Sequence, residues 1–168
     1  YDYPSARLAE DHFVVTTTTA NAGRVMEHME FHAQTVWPEL DVQFASVTDQ
    51  WASMSVAGPQ ARRTLAKVIA GLDLSDAGLP FMGVAHATLA DCPVRVFRIS
   101  FSGELAFEVA TPAGYALAVW EAILAAGQEF GIEPYGVEAL NVLRIEKGHV
   151  AGAELNGQTT MRDVGLGK

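Results

Sequence analysis

Apolar and polar positions along the chain fall into short alternating runs and longer 3.6-residue patterns. Phe13-Val14-Val15, continued by threonines at 16–18, is β-branched and predicts a strand over 13–18. Val25, Met29, Ala33 and Val36 recur at helical spacing and predict a core-facing helix over about 22–36. Asn21 can cap it, and Trp37-Pro38 stops it, because the residue before proline avoids the α region. Strands are predicted near 42–47 and 51–57, with polar Thr48-Asp49-Gln50 between them. Gly58-Pro59 opens a helix to about residue 70, with Ala61, Leu65, Val68 and Ile69 as its buried stripe and Gly71 as its stop. A strand near 83–89 then completes a ferredoxin-like β-α-β-β-α-β portion.

The second half opens with a strand at about 94–101, a short turn at Ser102-Gly103, and a return strand at 105–111. Thr111-Pro112 starts a helix of about 113–127, whose inner stripe is Ala116, Val119, Trp120, Ile123 and Ala126. A last helix is expected over 136–147, ended by Gly148. Helices mixed with hairpin-linked strands give an α+β class with mostly antiparallel sheets and packed helices. The expected organisation is a first α/β layer over about 1–92 and a second portion over about 93–168. The chain lacks an initiator methionine and ends on Gly165-Leu166-Gly167-Lys168, so it is expected to be a fragment of a longer polypeptide.

Composition narrows the partners. The 168 residues are 49% hydrophobic and 18% charged, too apolar for a disordered chain. The net charge of −9 argues against a nucleic-acid binder, which needs a basic face to neutralise phosphates. No apolar run approaches the roughly 18 residues of a membrane span. A single cysteine, Cys92, cannot form an internal disulfide. That fits a reducing compartment, and a cytoplasmic location is expected. His28 and His32 stand four apart, but no third ligand is evident, so no metal site is predicted. The Gly165-x-Gly167 pair follows no strand-to-helix pattern and is not a dinucleotide fingerprint.

Two clusters could carry chemistry. The first is 98–108, where Glu104, Ala106 and Glu108 share one strand face and Leu105, Phe107 and Val109 the other. Positions four apart on a strand are separated by roughly 13 Å at ~3.3 Å per residue, too far for a cooperating carboxylate pair. Each glutamate therefore stands alone. Either both face water, or Glu108 reaches into a pocket and holds a planar group with two parallel N–H donors. The second cluster is 136–148, where Arg144 and Lys147 stand three apart on a helix. They form either a solvated helix end or a pair that attracts an anionic substrate tail.

The segments FSGELAFE (101–108) and YGVEALNVLRIEKG (135–148), with the apolar helix around Trp120 between them, resemble the aminomethyltransferase family of glycine-cleavage T-proteins and their folate-binding relatives. Trp37-Pro-Glu-Leu40, Val47-Thr-Asp-Gln-Trp51 and Pro80-Phe-Met82 resemble one branch more closely, the T-protein-like part of sarcosine oxidase alpha subunits. The resemblance implies an aminomethyltransferase-like folate-binding fold whose C-terminal barrel is missing here. It implies tetrahydrofolate as the ligand, flavin in other parts of the complex, and other sarcosine oxidase-like subunits as partners. The one-carbon donor it implies is an imine derived from a methylated amine, and the products are glycine and 5,10-methylenetetrahydrofolate. It places the family's pterin-binding glutamate on Glu108 and a family tyrosine on Phe101, which keeps the ring and loses the hydroxyl. Arg144 falls on the arginine of the family's Leu-Arg-x-Glu segment, and Asp2 on its essential aspartate. Leu140 stands where T-proteins carry arginine, which departs from the glycine-cleavage pattern. A glycine-cleavage-type aminomethyltransferase and a non-catalytic subunit-docking module are the alternatives.

Overall fold

The computed structural model describes residues 5–152, 154–155 and 157–165. The chain divides into two compact units, Tyr1–Trp51 and Ala52–Lys168. In the first, β1 (Ser5–Arg7) and β2 (Phe13–Val15) form an antiparallel hairpin, with Ala6 opposite Val14. Helix α1 follows (Ala22–Thr35). It starts where the sequence predicts, although Asn21 makes no side-chain cap bond, and it ends before Trp37-Pro38. Val25 is its buried residue; Val36, expected on the core face, is 50% exposed. No strand forms over 42–47, and Thr48–Gln50 is a single 3-10 turn. Alternation alone does not make a strand, because an unpaired ladder leaves its N–H and C=O groups without partners.

The second unit holds a five-stranded sheet. Its strands are β3 (Trp51–Ala57, whose first residue belongs to the first unit), β4 (Ile69–Ala70), β5 (Val84–Leu89), β6 (Cys92–Phe97) and β7 (Ala106–Pro112). Their order is β3-β7-β6-β5-β4, and the pairs β4–β5, β5–β6 and β6–β7 are antiparallel. The mostly antiparallel α+β class expected from the sequence is the one observed. Helix α2 (Ala61–Ala66) is shorter than predicted, because Ile69 and Ala70 leave it to pair with Leu89 and Thr88. Helices α3 (Ala116–Gly127) and α4 (Val137–Glu146) lie close to their predicted bounds.

One sheet face makes the core. Leu89, Cys92, Val94, Val96, Phe107 and Val109 project from it and pack with Leu65 of α2 and Val119 and Ile123 of α3. Burying a side chain of this size contributes about 1.5–3 kcal/mol, so this cluster is what fixes the sheet's register. Strands β5 and β6 are joined by Ala90 and Asp91, both at positive φ (48° and 62°). That is the backbone a two-residue hairpin needs to match strand twist.

Candidate functional site

The register of the sheet decides which side chains leave the core. Phe97 pairs with Glu108 across β6 and β7, and with Val84 across β5 and β6. Arg95 pairs with Ala110 and with His86. These residues share the face opposite the core. Along β7 the core takes Phe107 and Val109, both 0% exposed, so Glu108 between them must point the other way. Its side chain is half-buried, and among the described residues it makes no hydrogen bond or ion pair. Burial pushes its carboxyl pKa above the ordinary value of 4.5. A desolvated carboxylate with free lone pairs is suited to a donor edge presenting two N–H groups, which would restore the lost solvation.

The turn predicted at Ser102-Gly103 is a wider loop. Pairing ends at Phe97–Glu108, and residues 98–105 leave the ladder. Arg98 anchors the loop's start: its N–H donates to the Gly83 carbonyl (2.9 Å), and its guanidinium lies 5.1 Å from the Phe107 ring centroid. Gly103 has φ +79°, and a Cβ there would meet the Lys147 side chain at 2.6 Å. Only glycine fits both conditions without strain.

Helix α4 docks on this loop, so two clusters some forty residues apart in sequence meet in space. The Lys147 ammonium donates to Glu104 at 2.8 Å. The Phe101 ring meets the His149 ring edge-on, 5.0 Å between centroids. Behind His149 sits Arg144, 6% exposed. Its Nη1 donates to the His149 carbonyl (3.2 Å), and its guanidinium forms a fork with the Glu154 carboxylate at 2.9 and 3.1 Å. Its Nε donates to the Asn141 side chain (3.3 Å). The His149 N–H returns a bond to the Arg144 carbonyl (2.8 Å). Arg144 holds the Glu154 carboxyl below its ordinary range, with help from the Ala151 N–H. Arg144 and Lys147 thus each engage a glutamate and do not form a common anion-facing pair.

The structure brings Phe101 and Arg144 together through His149 and sets Glu108 on the strand that leaves the same loop. Asp2 lies outside the described residues. Phe97, His149 and Glu154 lie outside the two residue clusters that the sequence singles out. Phe97 was findable, since the alternation Cys92, Val94, Val96 assigns Arg95 and Phe97 to the other face. Glu154 carried no local signal, because its partner lies ten residues back across an irregular turn. Cys92 is buried in the core, and its Sγ approaches the Ala90 carbonyl at 3.4 Å. His28 and His32 stack 4.2 Å apart, with His32 Nδ1 2.9 Å from the His28 carbonyl oxygen. No helix among the described residues is long and apolar enough to cross a membrane.

A family model described as the GCVT N-terminal domain matches residues 1–168. The chain is 53% identical over 169 residues to the sarcosine oxidase subunit alpha of Rhizobium meliloti (strain 1021), covering 99% of this chain and 17% of that protein. It is 40% identical over 127 residues to the mitochondrial dimethylglycine dehydrogenase of Mus musculus, covering 75% of this chain and 14% of that protein. The chain therefore spans about a sixth of the length of these relatives. A solved structure, heterotetrameric sarcosine oxidase from Corynebacterium sp. U-96 in complex with pyrrole 2-carboxylate, contains a chain of similar fold. That match has a TM-score of 0.57 over 79% of this chain and 63% of that one, at 18% identity.

Proposed function

The chain belongs to the GCVT N-terminal domain family, and from that premise we propose that it is the tetrahydrofolate-binding, one-carbon-transfer domain of a sarcosine oxidase alpha-like subunit. The observation that carries the proposal is Glu108, a half-buried carboxylate without a partner among the described residues, on the sheet face opposite the core. The N–H edge of a reduced pterin is flat and presents parallel donors, and Glu108 accepts them in the two-point manner it accepts guanidinium. Phe101 supplies an aromatic wall. Arg144 is a positioning residue: it fixes the backbone of His149, whose ring supports Phe101.

Tetrahydrofolate supplies the two nitrogens that capture a one-carbon unit. A flavin elsewhere in the complex would supply the two-electron oxidation of sarcosine to an imine, and folate held by this chain would take up the imine carbon with glycine as the leaving group. The contribution of this chain is to orient the ring and exclude water from its edge, which is where most of the rate gain of a positioned bimolecular step arises. The proton-handling role implied for Asp2 belongs to the same proposal.

The test is calorimetric titration of the complete complex with tetrahydrofolate. Glu108→Gln is expected to weaken binding by about 10–100-fold, since hydrogen bonds to a charged acceptor contribute about 1.5–3 kcal/mol. Equal affinity in wild type and variant would remove Glu108 from the site. Release of ammonia from an aminomethyl-lipoyl carrier protein would instead favour the glycine-cleavage activity. Absence of any folate affinity would favour a docking role.

A further inference from the structure

We propose that Phe97 is the surface on which the flat ring held by Glu108 stacks. The inference rests on the folate reading of Glu108 and adds a ring-recognition residue to it.

Three observations converge on Phe97. It is the direct partner of Glu108 across β6 and β7, so the two side chains rise from one face with Cβ atoms about 4.5–5.5 Å apart. Second, Phe97 stands apart from the hydrophobic core and from the apolar residues packed against it. A phenylalanine in mid-sheet is ordinarily core material, yet here Val94 and Val96 of the same strand take those places. Third, the residues two before and two after Glu108 on its strand are both alanine and both buried, 1% and 8% exposed, so the shelter over this face of β7 reaches both sides of the glutamate. On that face of β7 the glutamate therefore stands between two of the smallest side chains available. Val84, the partner of Phe97 on β5, flanks the ring on its far side.

The chemistry follows from the juxtaposition. A carboxylate gripping a ring by its edge fixes one in-plane direction and leaves the ring free to tilt. An aromatic side chain beside that carboxylate removes the tilt by offering a π-face, which any flat heteroaromatic ring accepts. Glu108 then selects for the donor edge and Phe97 for flatness.

The experiment uses the complete complex and tetrahydrofolate as the probe. Phe97→Leu is expected to weaken binding roughly 10-fold, the scale of losing one ring-on-ring stack. Phe97→Tyr, which restores the π-face, is expected to bind within about 2-fold of wild type, a rescue that a purely volume-filling role would not require. Phe97→Met, which fills the volume without a ring, is expected to weaken binding as Phe97→Leu does, and it keeps the inference testable should Phe97→Leu fold poorly. Wild-type affinity in both Phe97→Leu and Phe97→Met, alongside a weakened Glu108→Gln, overturns the role of Phe97 and leaves the folate reading standing. Wild-type affinity in all three takes Glu108 and Phe97 out of the ring site together, whereas absence of folate affinity in the wild-type complex overturns the folate reading itself.

Discussion

Glu108 couples stability to binding in opposite directions. Its folded-state pKa is raised by burial. The protonated carboxyl is therefore favoured by folding below the unfolded value, and that advantage is lost as pH rises through the folded value. At neutral pH the ionised group costs stability. Glu108→Gln is thus expected to raise the Tm at pH 7.5 while weakening folate binding, and the Tm difference should shrink toward pH 4. Differential scanning calorimetry at the two pH values checks this; an unchanged Tm at pH 7.5 would mean that the carboxylate is well solvated. The same titration predicts that wild-type folate affinity falls on acidification from pH 7 toward 5, because a protonated carboxyl accepts from a donor edge less well. Arg144 behaves differently. Its donors are committed to His149, Asn141 and Glu154, so Arg144→Lys, which loses the fork, should raise KM for folate by loosening the hold on His149. The substitution is expected to cost about 1–3 kcal/mol of stability, measurable by urea unfolding.

At the scale of elements, the site is a loop clamped from two sides. Residues 98–105 are tied to the Pro80–Gly83 turn by the paired backbones of Arg98, Met82 and Gly83, and to the end of α4 by Glu104–Lys147 and Phe101–His149. Gly103→Ala violates both the positive φ and the contact with Lys147, and should cost about 1–2 kcal/mol along with weaker folate binding. Glu104→Gln, by contrast, breaks only an exposed ion pair and should cost less than about 1 kcal/mol. The β5–β6 turn offers an opposite test. Ala90 sits at φ 48° without the side chain that favours it. Ala90→Asn should therefore stabilise by roughly 1 kcal/mol, seen as a higher denaturation midpoint with an unchanged m-value. Helix ends were legible where punctuation was strong, as at Trp37-Pro38. The end of α2 was not, because apolar Val68 and Ile69 continue the helical pattern while the free edge of β5 claims Ile69 for a strand.

Across the molecule, stability is uneven. The second unit holds the core of Leu65, Leu89, Val96, Phe107 and Val109, whereas Val25 is the buried hydrophobe of the first among the described residues. Leu65→Ala should cost about 2–5 kcal/mol by leaving a cavity, and Val25→Ala considerably less; thermal unfolding of both variants tests the division. The first unit exposes Phe31, Trp37 and Leu40 at 49–58%, so its sequence reads as more core-like than its structure.

The sequence by itself determined the α+β class, most helices and strands, and the family, because these depend on local periodicity, turn residues and short motifs. It also singled out Glu108 and Arg144 as residues of interest. Only tertiary structure decided what each one meets. Whether Glu108 faces water or a sheltered surface depends on the core claiming Phe107 and Val109. Arg144 finds its partner in Glu154 across a turn with no periodicity, and 42–47 stays irregular because no neighbouring strand accepts it. A carboxylate's surroundings and a strand's partner are set by residues distant along the chain, and no local pattern contains them.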